Sequence, residues 1–344
     1  MARACPVGHA HAESRCRHVS STGQDHPASS PAIVSAAGST QSRPTRRRAV
    51  LLVALVIPLA LYLVTRREAL EDLQRLSLGD VLIVLLSQFS AQLLWNGAVL
   101  APLRASLEKL GFWELLLVRS GGVLASYVVP VAGNVAVRMA YLRRRGLAYP
   151  DFVWATLVSN LLALFAAAIL AAWAVITAQI MTGNTSGPVL GLTGGIVALG
   201  AVALSGVFLL PRFAGHPLLQ RWRFTSALTQ TPRRTIVVTS VLALGRHVCN
   251  FLTFGLLYRS LSVAHNHLLA GGLVYTITIP IRMVTITPGN LGVNEWVVAL
   301  AGKLLSFDVP TGVVVALVFR GMSLAAQVLA ATVAGAYLAA REHR

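Results

Sequence analysis

The chain has 344 residues, of which 55% are hydrophobic and 12% charged, with a mean hydropathy of +0.68, whereas a soluble globular domain carries about 25% charged residues. Several apolar stretches reach or exceed the about 20 residues that cross a bilayer, which excludes a soluble fold and predicts an all-α, polytopic helical membrane bundle. The formal net charge of +17 does not point to a nucleic-acid partner, because most basic residues fall in a tail and between apolar runs, as in loops held on the cytoplasmic side.

Residues 1–48 are rich in Ser, Ala, Pro, His and Arg with almost no large apolar residue, so they cannot bury enough surface to fold alone and are expected to form a disordered basic cytoplasmic tail. Cys5, His9, His11, Cys16 and His18 fit no zinc-ligand spacing, and no cofactor or metal is expected. The apolar run 49–65 follows Arg46, Arg47 and Arg48 as a signal peptide would. The preceding tail is too long for that, and Arg66 and Arg67 follow in place of a small-residue cleavage site, so the run reads as a retained first span.

A second span over 80–100 carries Gln88, Gln92 and Asn96 at fourfold spacing, which puts three amides on one helix face looking into the bundle. Helix-to-helix hydrogen bonding and the lining of a translocation path both fit that face. The run 110–142 is too long for one span, is flanked by basic residues on both sides (Arg104 and Lys109, then Arg143 to Arg145), and contains Gly121, Gly122, Pro130 and Gly133. Equal-signed flanks and mid-segment breakers predict a re-entrant hairpin from the cytoplasmic side, whose non-helical backbone requires surrounding protein or a wet cavity.

Residues 152–181 and 188–210 are two further spans joined by an uncharged loop placed outside. Gly191 and Gly195 offer a small-xxx-small contact in the second, and Asn184-Thr185-Ser186 is a short sequon match of low specificity. After the basic stretch 212–234, a span over 235–261 returns outward. Residues 268–305 form the second overlong run, interrupted by Pro280 and by Pro288-Gly289-Asn290-Leu291-Gly292, and are expected to re-enter from outside. The last span, 309–340, brings the C-terminal residues 341–344 back to the cytoplasm. The expectation is a transmembrane domain over 49–340 in the plasma (inner) membrane, both termini cytoplasmic, with six full spans and two broken segments entering from opposite faces. Such paired, oppositely oriented breaks are the sequence pointer to an inverted-repeat transporter with a midplane site; two ordinary helical hairpins are the alternative.

Charge inside a bilayer is costly, so intramembrane ionisable residues are functional candidates. Arg246 lies roughly 18 Å along its helix from Arg234 at ~1.5 Å per residue, near the bilayer middle. Arg282, Glu295 and Arg320 also fall well within apolar runs. Three arginines against one carboxylate leave cationic groups to be satisfied by backbone carbonyls and water, or by an anionic phosphate headgroup that suits the guanidinium fork. Asn250, one turn after Arg246, and Gln327, two turns after Arg320, extend the polar faces. Arg259 sits near a span end and is expected to snorkel; Cys249 reads as a small hydrophobe. There is no HExxH, CxxC or Walker sequence, and His265 and His267 fall in a short loop, so covalent or metal-assisted catalysis is not expected.

Two stretches carry a family resemblance. Thr287-Pro288-Gly289-Asn290-Leu291-Gly292-Val293-Asn294-Glu295 resembles the Pro-Gly-Gly-Leu-Gly-Val-x-Glu motif of the lysylphosphatidylglycerol synthase transmembrane region (flippase-like) family. Val129-Pro130-Val131-Ala132-Gly133-Asn134, followed by Arg138 and Arg143 to Arg145, resembles its earlier Leu-Pro-x-x-x-Gly-Glu-x-x-x-Arg element. The likeness covers about residues 50–340. Asn134 stands where the family usually has Glu, and Asn290 replaces the second Gly. The resemblance implies a stand-alone membrane domain without the soluble aminoacyl-transferase domain of some members. It also implies movement of lipids or lipid-linked headgroups between leaflets, with Arg138, Asn134 and Glu295 among the site residues.

In the second motif, Pro288 removes a backbone donor and Gly289 and Gly292 permit tight turns, so a half-helix begins there with Glu295 near the positive end of its dipole. The leading expectation is a lipid or lipid-linked flippase that binds an anionic phospholipid or polyprenyl phosphate. The alternatives are an integral-membrane transferase on such lipids and a scaffold for a separate cell-envelope enzyme partner. Reporter fusions after Arg145 and after Ser262 are expected to read inside and outside respectively; the opposite readings overturn the predicted topology.

Overall fold

The computed structural model describes residues 72–128, 132–182, 187–209, 212, 232–262, 268–282 and 290–343. The tail, the first span at 49–65, the Asn184 sequon, His265 and His267, and Pro130, Pro288 and Gly289 lie outside the described residues. Among the described ones there is no strand. A short 3-10 turn (Asp72–Arg75) precedes nine α-helices: α1 (Leu78–Leu103), α2 (Phe112–Val128), α3 (Ala132–Arg144), α4 (Tyr149–Thr182), α5 (Gly187–Leu209), α6 (Arg233–Leu261), α7 (Leu268–Arg282), α8 (Val293–Leu304) and α9 (Val309–Glu342).

Helices α1, α4, α5, α6 and α9 are long and apolar enough to cross a membrane, and they fall on the five predicted spans within the described residues. The remaining four have 17, 13, 15 and 12 residues. At ~1.5 Å per residue each is shorter than the about 30 Å hydrocarbon layer. They form two pairs, α2 with α3 and α7 with α8, where the sequence has its two overlong runs. Three of the predicted breakers do not interrupt a helix. Gly121 and Gly122 lie inside α2, and Pro280 lies inside α7, so the chain is helical at these three positions.

Local chemistry sets the starts of the helices. Ser77 and Asp80 form a reciprocal capping box at α1: the Asp80 N–H donates to Ser77 Oγ (3.1 Å) and the Ser77 N–H to Asp80 Oδ2 (3.2 Å), satisfying two orphan donors. Pro310 occupies the first turn of α9, where its missing N–H costs no helical bond.

The bundle is held by close approach of small residues. α4 buries Ala163, Ala166, Ala167, Ala168, Ala171 and Ala174. A Cβ at Gly200 of α5 would stand 2.3 Å from Ala168 Cβ, so the two backbones meet at that glycine. The contact expected at Gly191 and Gly195 is not made there: both are exposed, and an added Cβ would meet nothing within 4 Å. α5 instead buries Val189, Thr193, Ile196, Gly200, Ala203 and Val207.

α6 packs against α1, α4 and α7. Gly255 lets the Leu268 carbonyl approach to within 2.4 Å of where a Cβ would be, and the ring of Phe251 fills the same position at Gly272. The main core joins α4, α6, α7, α8 and α9 around Phe254, Tyr258, Leu273, Val298 and Phe319. Outward-facing Leu82, Leu86, Ile176, Ile180, Val202 and Val241 are exposed, the apolar exterior a lipid solvent requires. Gly255→Ala is expected to destabilise the chain by about 1–3 kcal/mol, since a carbonyl must be displaced. Gly191→Ala should leave the melting temperature in detergent unchanged or slightly raised; equal effects would contradict this packing.

Candidate functional site

The two breaks end on half-helices whose first turns carry asparagines. Asn134 is the third residue of α3, and Asn294 is the second of α8. Both line one cavity of about 380 Å³, walled also by Gln88, Gln92 and Trp95 of α1, Asn160 of α4, Arg246, His247 and Asn250 of α6, Tyr275 of α7 and Ser323 of α9. Seven helices therefore converge on one hollow of the size that holds a small ligand or headgroup. A smaller cavity of about 70 Å³ shares Asn294, Phe319 and Ser323 with it and is lined by Arg320.

One wall is a fixed hydrogen-bond chain. Gln88 Nε2 donates to Asn250 Oδ1 (3.0 Å) and Thr253 Oγ1 (3.1 Å). Asn250 Nδ2 donates to the Tyr275 hydroxyl (3.1 Å), which lies 2.7 Å from His247 Nδ1. Ser87 donates to the Cys249 carbonyl (2.9 Å) and accepts from Thr253 (3.1 Å). These bonds tie α1, α6 and α7 together, and such satisfied networks rigidify their surroundings. The amide face of α1 thus divides its labour. Gln88 joins helices, Gln92 faces the cavity, and buried Asn96 donates to the Phe112 carbonyl at the start of α2 (2.9 Å).

Arg246 projects onto the cavity wall with its Cζ 4.2 Å from the Trp95 ring centroid, within cation–π range. Arg320 is differently placed. Its Nη2 lies 2.9 Å from Glu295 Oε1 and donates to the Asn290 carbonyl at 3.0 Å. Glu295 is fully buried, and its Oε2 accepts from the Gly292 N–H at 2.8 Å. Gly292 and Asn290 both have positive φ, 80° and 54°. Asn is among the residues that tolerate this region best, which accounts for an Asn in the position of the motif's second glycine. Arg259 is exposed in the last turn of α6.

The sequence-selected residues therefore fall into three groups. Arg246, Asn250 and Asn134 meet on the large cavity. Glu295 and Arg320 pair beside it, at Gly292. Arg138 lies off the cavity, buried in α3 with its Cζ 5.3 Å from the Phe152 ring centroid. Gly133 works by close approach: an added Cβ would stand 2.8 Å from the Ala125 carbonyl oxygen of α2. Arg282 ends α7, and its side chain lies outside the described part of the structure. The sequence reading missed Trp95, His247 and Tyr275. It also missed Arg119 of α2, which is 5% exposed with its Cζ 5.8 Å from the Trp95 centroid, although an arginine inside an apolar run meets the same criterion that selects Arg246.

Residues 48–331 match the family model described as Lysylphosphatidylglycerol synthase TM region, and the chain belongs to that family. Neither curated proteins nor solved structures give a match. Membership and the helical architecture make this a multi-pass, lipid-related membrane protein. Arg320→Gln is expected to lose about 3–5 kcal/mol of stability by leaving buried Glu295 without its cation. Adding Glu295→Gln should restore much of that in a detergent melting assay, and a double variant no more stable than the single would show the two groups uncoupled.

Proposed function

We propose that this member of the Lysylphosphatidylglycerol synthase TM region family moves an anionic lipid headgroup between leaflets through the cavity lined by Arg246. The observation that carries the reading is a guanidinium on the wall of a roughly 380 Å³ hollow, engaged by an aromatic ring and by no carboxylate among the described residues. Two further features support it. The first turns of α3 and α8 reach the same hollow through Asn134 and Asn294, and helix N-termini carry partial positive charge that favours anions. Both broken segments thus contribute a polar end at the site, as in transporters whose discontinuous helices aim their N-termini at an anionic substrate.

In this reading α2–α3 and α7–α8 are re-entrant from opposite faces of the plasma membrane, with both termini in the cytoplasm. The headgroup travels through the hollow while its tails stay in lipid. Trp95 holds the Arg246 fork without neutralising it, so the cation is available to a phosphate.

Purified full-length protein reconstituted in liposomes with fluorescent phosphatidylglycerol or phosphatidate should make the inner-leaflet label accessible to an external quencher. Arg246→Gln should slow this at least about tenfold, the scale of one lost charge-assisted hydrogen bond. Absence of movement across a panel of phospholipids and polyprenyl phosphates, or an unaffected Arg246→Gln, would overturn the proposal.

A further inference from the structure

Arg246 is not the only cation beside Trp95. Arg119 approaches the same ring from α2, and Arg138 of α3 lies against Phe152. Arg119 is within Coulombic reach of both Arg138 and Arg246. Arg119 and Arg138 are 5% and 8% exposed, and Nη1 of the first and Nε of the second have no hydrogen-bond partner. The ion pairs among the described residues are Arg145–Glu114 and Arg320–Glu295, so none of these three arginines is in one.

Three like charges in a desolvated region repel one another, and aromatic faces offset only part of the loss of hydration. With no carboxylate paired to any of the three among the described residues, the arrangement favours a ligand of more than one negative charge. A phosphodiester such as phosphatidylglycerol brings one. A phosphomonoester brings about 1.5 to 2 at neutral pH, and a diphosphate brings more.

We infer that the headgroup taken by this cavity carries a phosphomonoester or diphosphate, with Arg246 contacting it and with Arg119, beside Trp95, and Arg138, beside Phe152, setting the required charge. This rests on the preceding reading that an anionic lipid occupies the hollow. Arg119 and Arg138 do not line the cavity; they act through their field, which low-dielectric surroundings screen weakly. They are specificity-determining residues and need not touch the ligand. Asn134 is the complementary element: it lines the cavity, its Oδ1 is buried against Gly122 of α2 without a hydrogen-bond partner, and an amide there leaves the positive charge standing.

The test is competition binding to the full-length protein in neutral detergent micelles, with phosphatidate, farnesyl diphosphate, phosphatidylglycerol, phosphatidylcholine and inorganic pyrophosphate as probes. At pH 8 phosphatidate and farnesyl diphosphate should bind at least tenfold more tightly than phosphatidylglycerol, and phosphatidylcholine most weakly. Between pH 8 and pH 5.5 the phosphatidate preference should shrink severalfold, as the dianionic monoester takes up one proton and becomes a monoanion, its second pKa being about 6. The titratable protein groups facing the anion are His247 and Tyr275 on the cavity and Glu295, paired with Arg320, beside it. A charged His247 would strengthen anion binding on acidification, the opposite sign, and phosphatidylglycerol measures that contribution separately.

Arg119→Gln should abolish the monoester preference without lowering the melting temperature of the ligand-free protein, because an uncompensated buried charge is removed. Arg119→Lys should keep the preference, and Asn134→Asp, which adds a carboxylate to the cavity wall, should remove it. Equal binding of phosphatidate and phosphatidylglycerol at pH 8, or a preference that survives Arg119→Gln, would overturn this inference and leave the lipid reading intact. Binding of none of the lipids would sink both. Pyrophosphate binding as tightly as farnesyl diphosphate would support the charge requirement while identifying a free anion as its source.

Discussion

Backbone groups left free at a buried helix start must be bonded by other parts of the protein. Glu295 and Arg320 do this at the second break. The carboxylate accepts the N–H of Gly292, the guanidinium donates to the carbonyl of Asn290, and the two side chains face each other at 2.9 Å. Each charge is the other's reason for being buried, and the backbone between them is fixed in a left-handed turn at Asn290 and Gly292. The rest of the site depends on this clamp, because it sets where α8 starts and so where Asn294 enters the cavity.

The hollow follows from how the neighbouring helices are held. Small residues draw α4 to α5 and α6 to α7, while the chain from Gln88 through Asn250 to Tyr275 and His247 spans α1, α6 and α7. Close packing between α4 and α5 and between α6 and α7, with satisfied polar contacts among α1, α6 and α7, leaves a hollow of about 380 Å³ lined by Arg246 and Asn134. The first break contributes in the same way. Gly122 and Gly133 let α2 and α3 lie against each other, and that contact carries Asn134 to the cavity wall.

Spans were legible in the sequence because bilayer thickness imposes a length on any apolar run, and five of them fall where hydropathy places them. Each overlong run holds a pair of short helices, but proline and glycine alone do not mark their ends, since Gly121, Gly122 and Pro280 sit in intact helices. Helix rotation was not legible in α5: it is apolar all round, so periodicity does not separate its lipid face from its packed face, and the contact falls at Gly200 instead of Gly191 and Gly195. Depth alone exposed Arg246, but not that a tryptophan one helix away would receive it. Glu295 had several arginines to choose from in the sequence, and only the fold assigns it Arg320. Arg119 was obscured because the run that contains it draws attention to its charged flanks and its breakers.

Arginine in a low-dielectric interior thus meets two solutions in one chain. Arg320 has a carboxylate and a backbone carbonyl on its Nη2, a counter-charge and a hydrogen bond of the kind that make a buried cation part of the structure. Arg246, Arg119 and Arg138 have aromatic faces and no carboxylate paired to them among the described residues. A protein that needed these three only for packing would be more stable with apolar residues of similar volume. Arg246 and Arg119 meet at Trp95 and Arg138 lies at Phe152, and of the three only Arg246 reaches the cavity that the first turns of α3 and α8 also line.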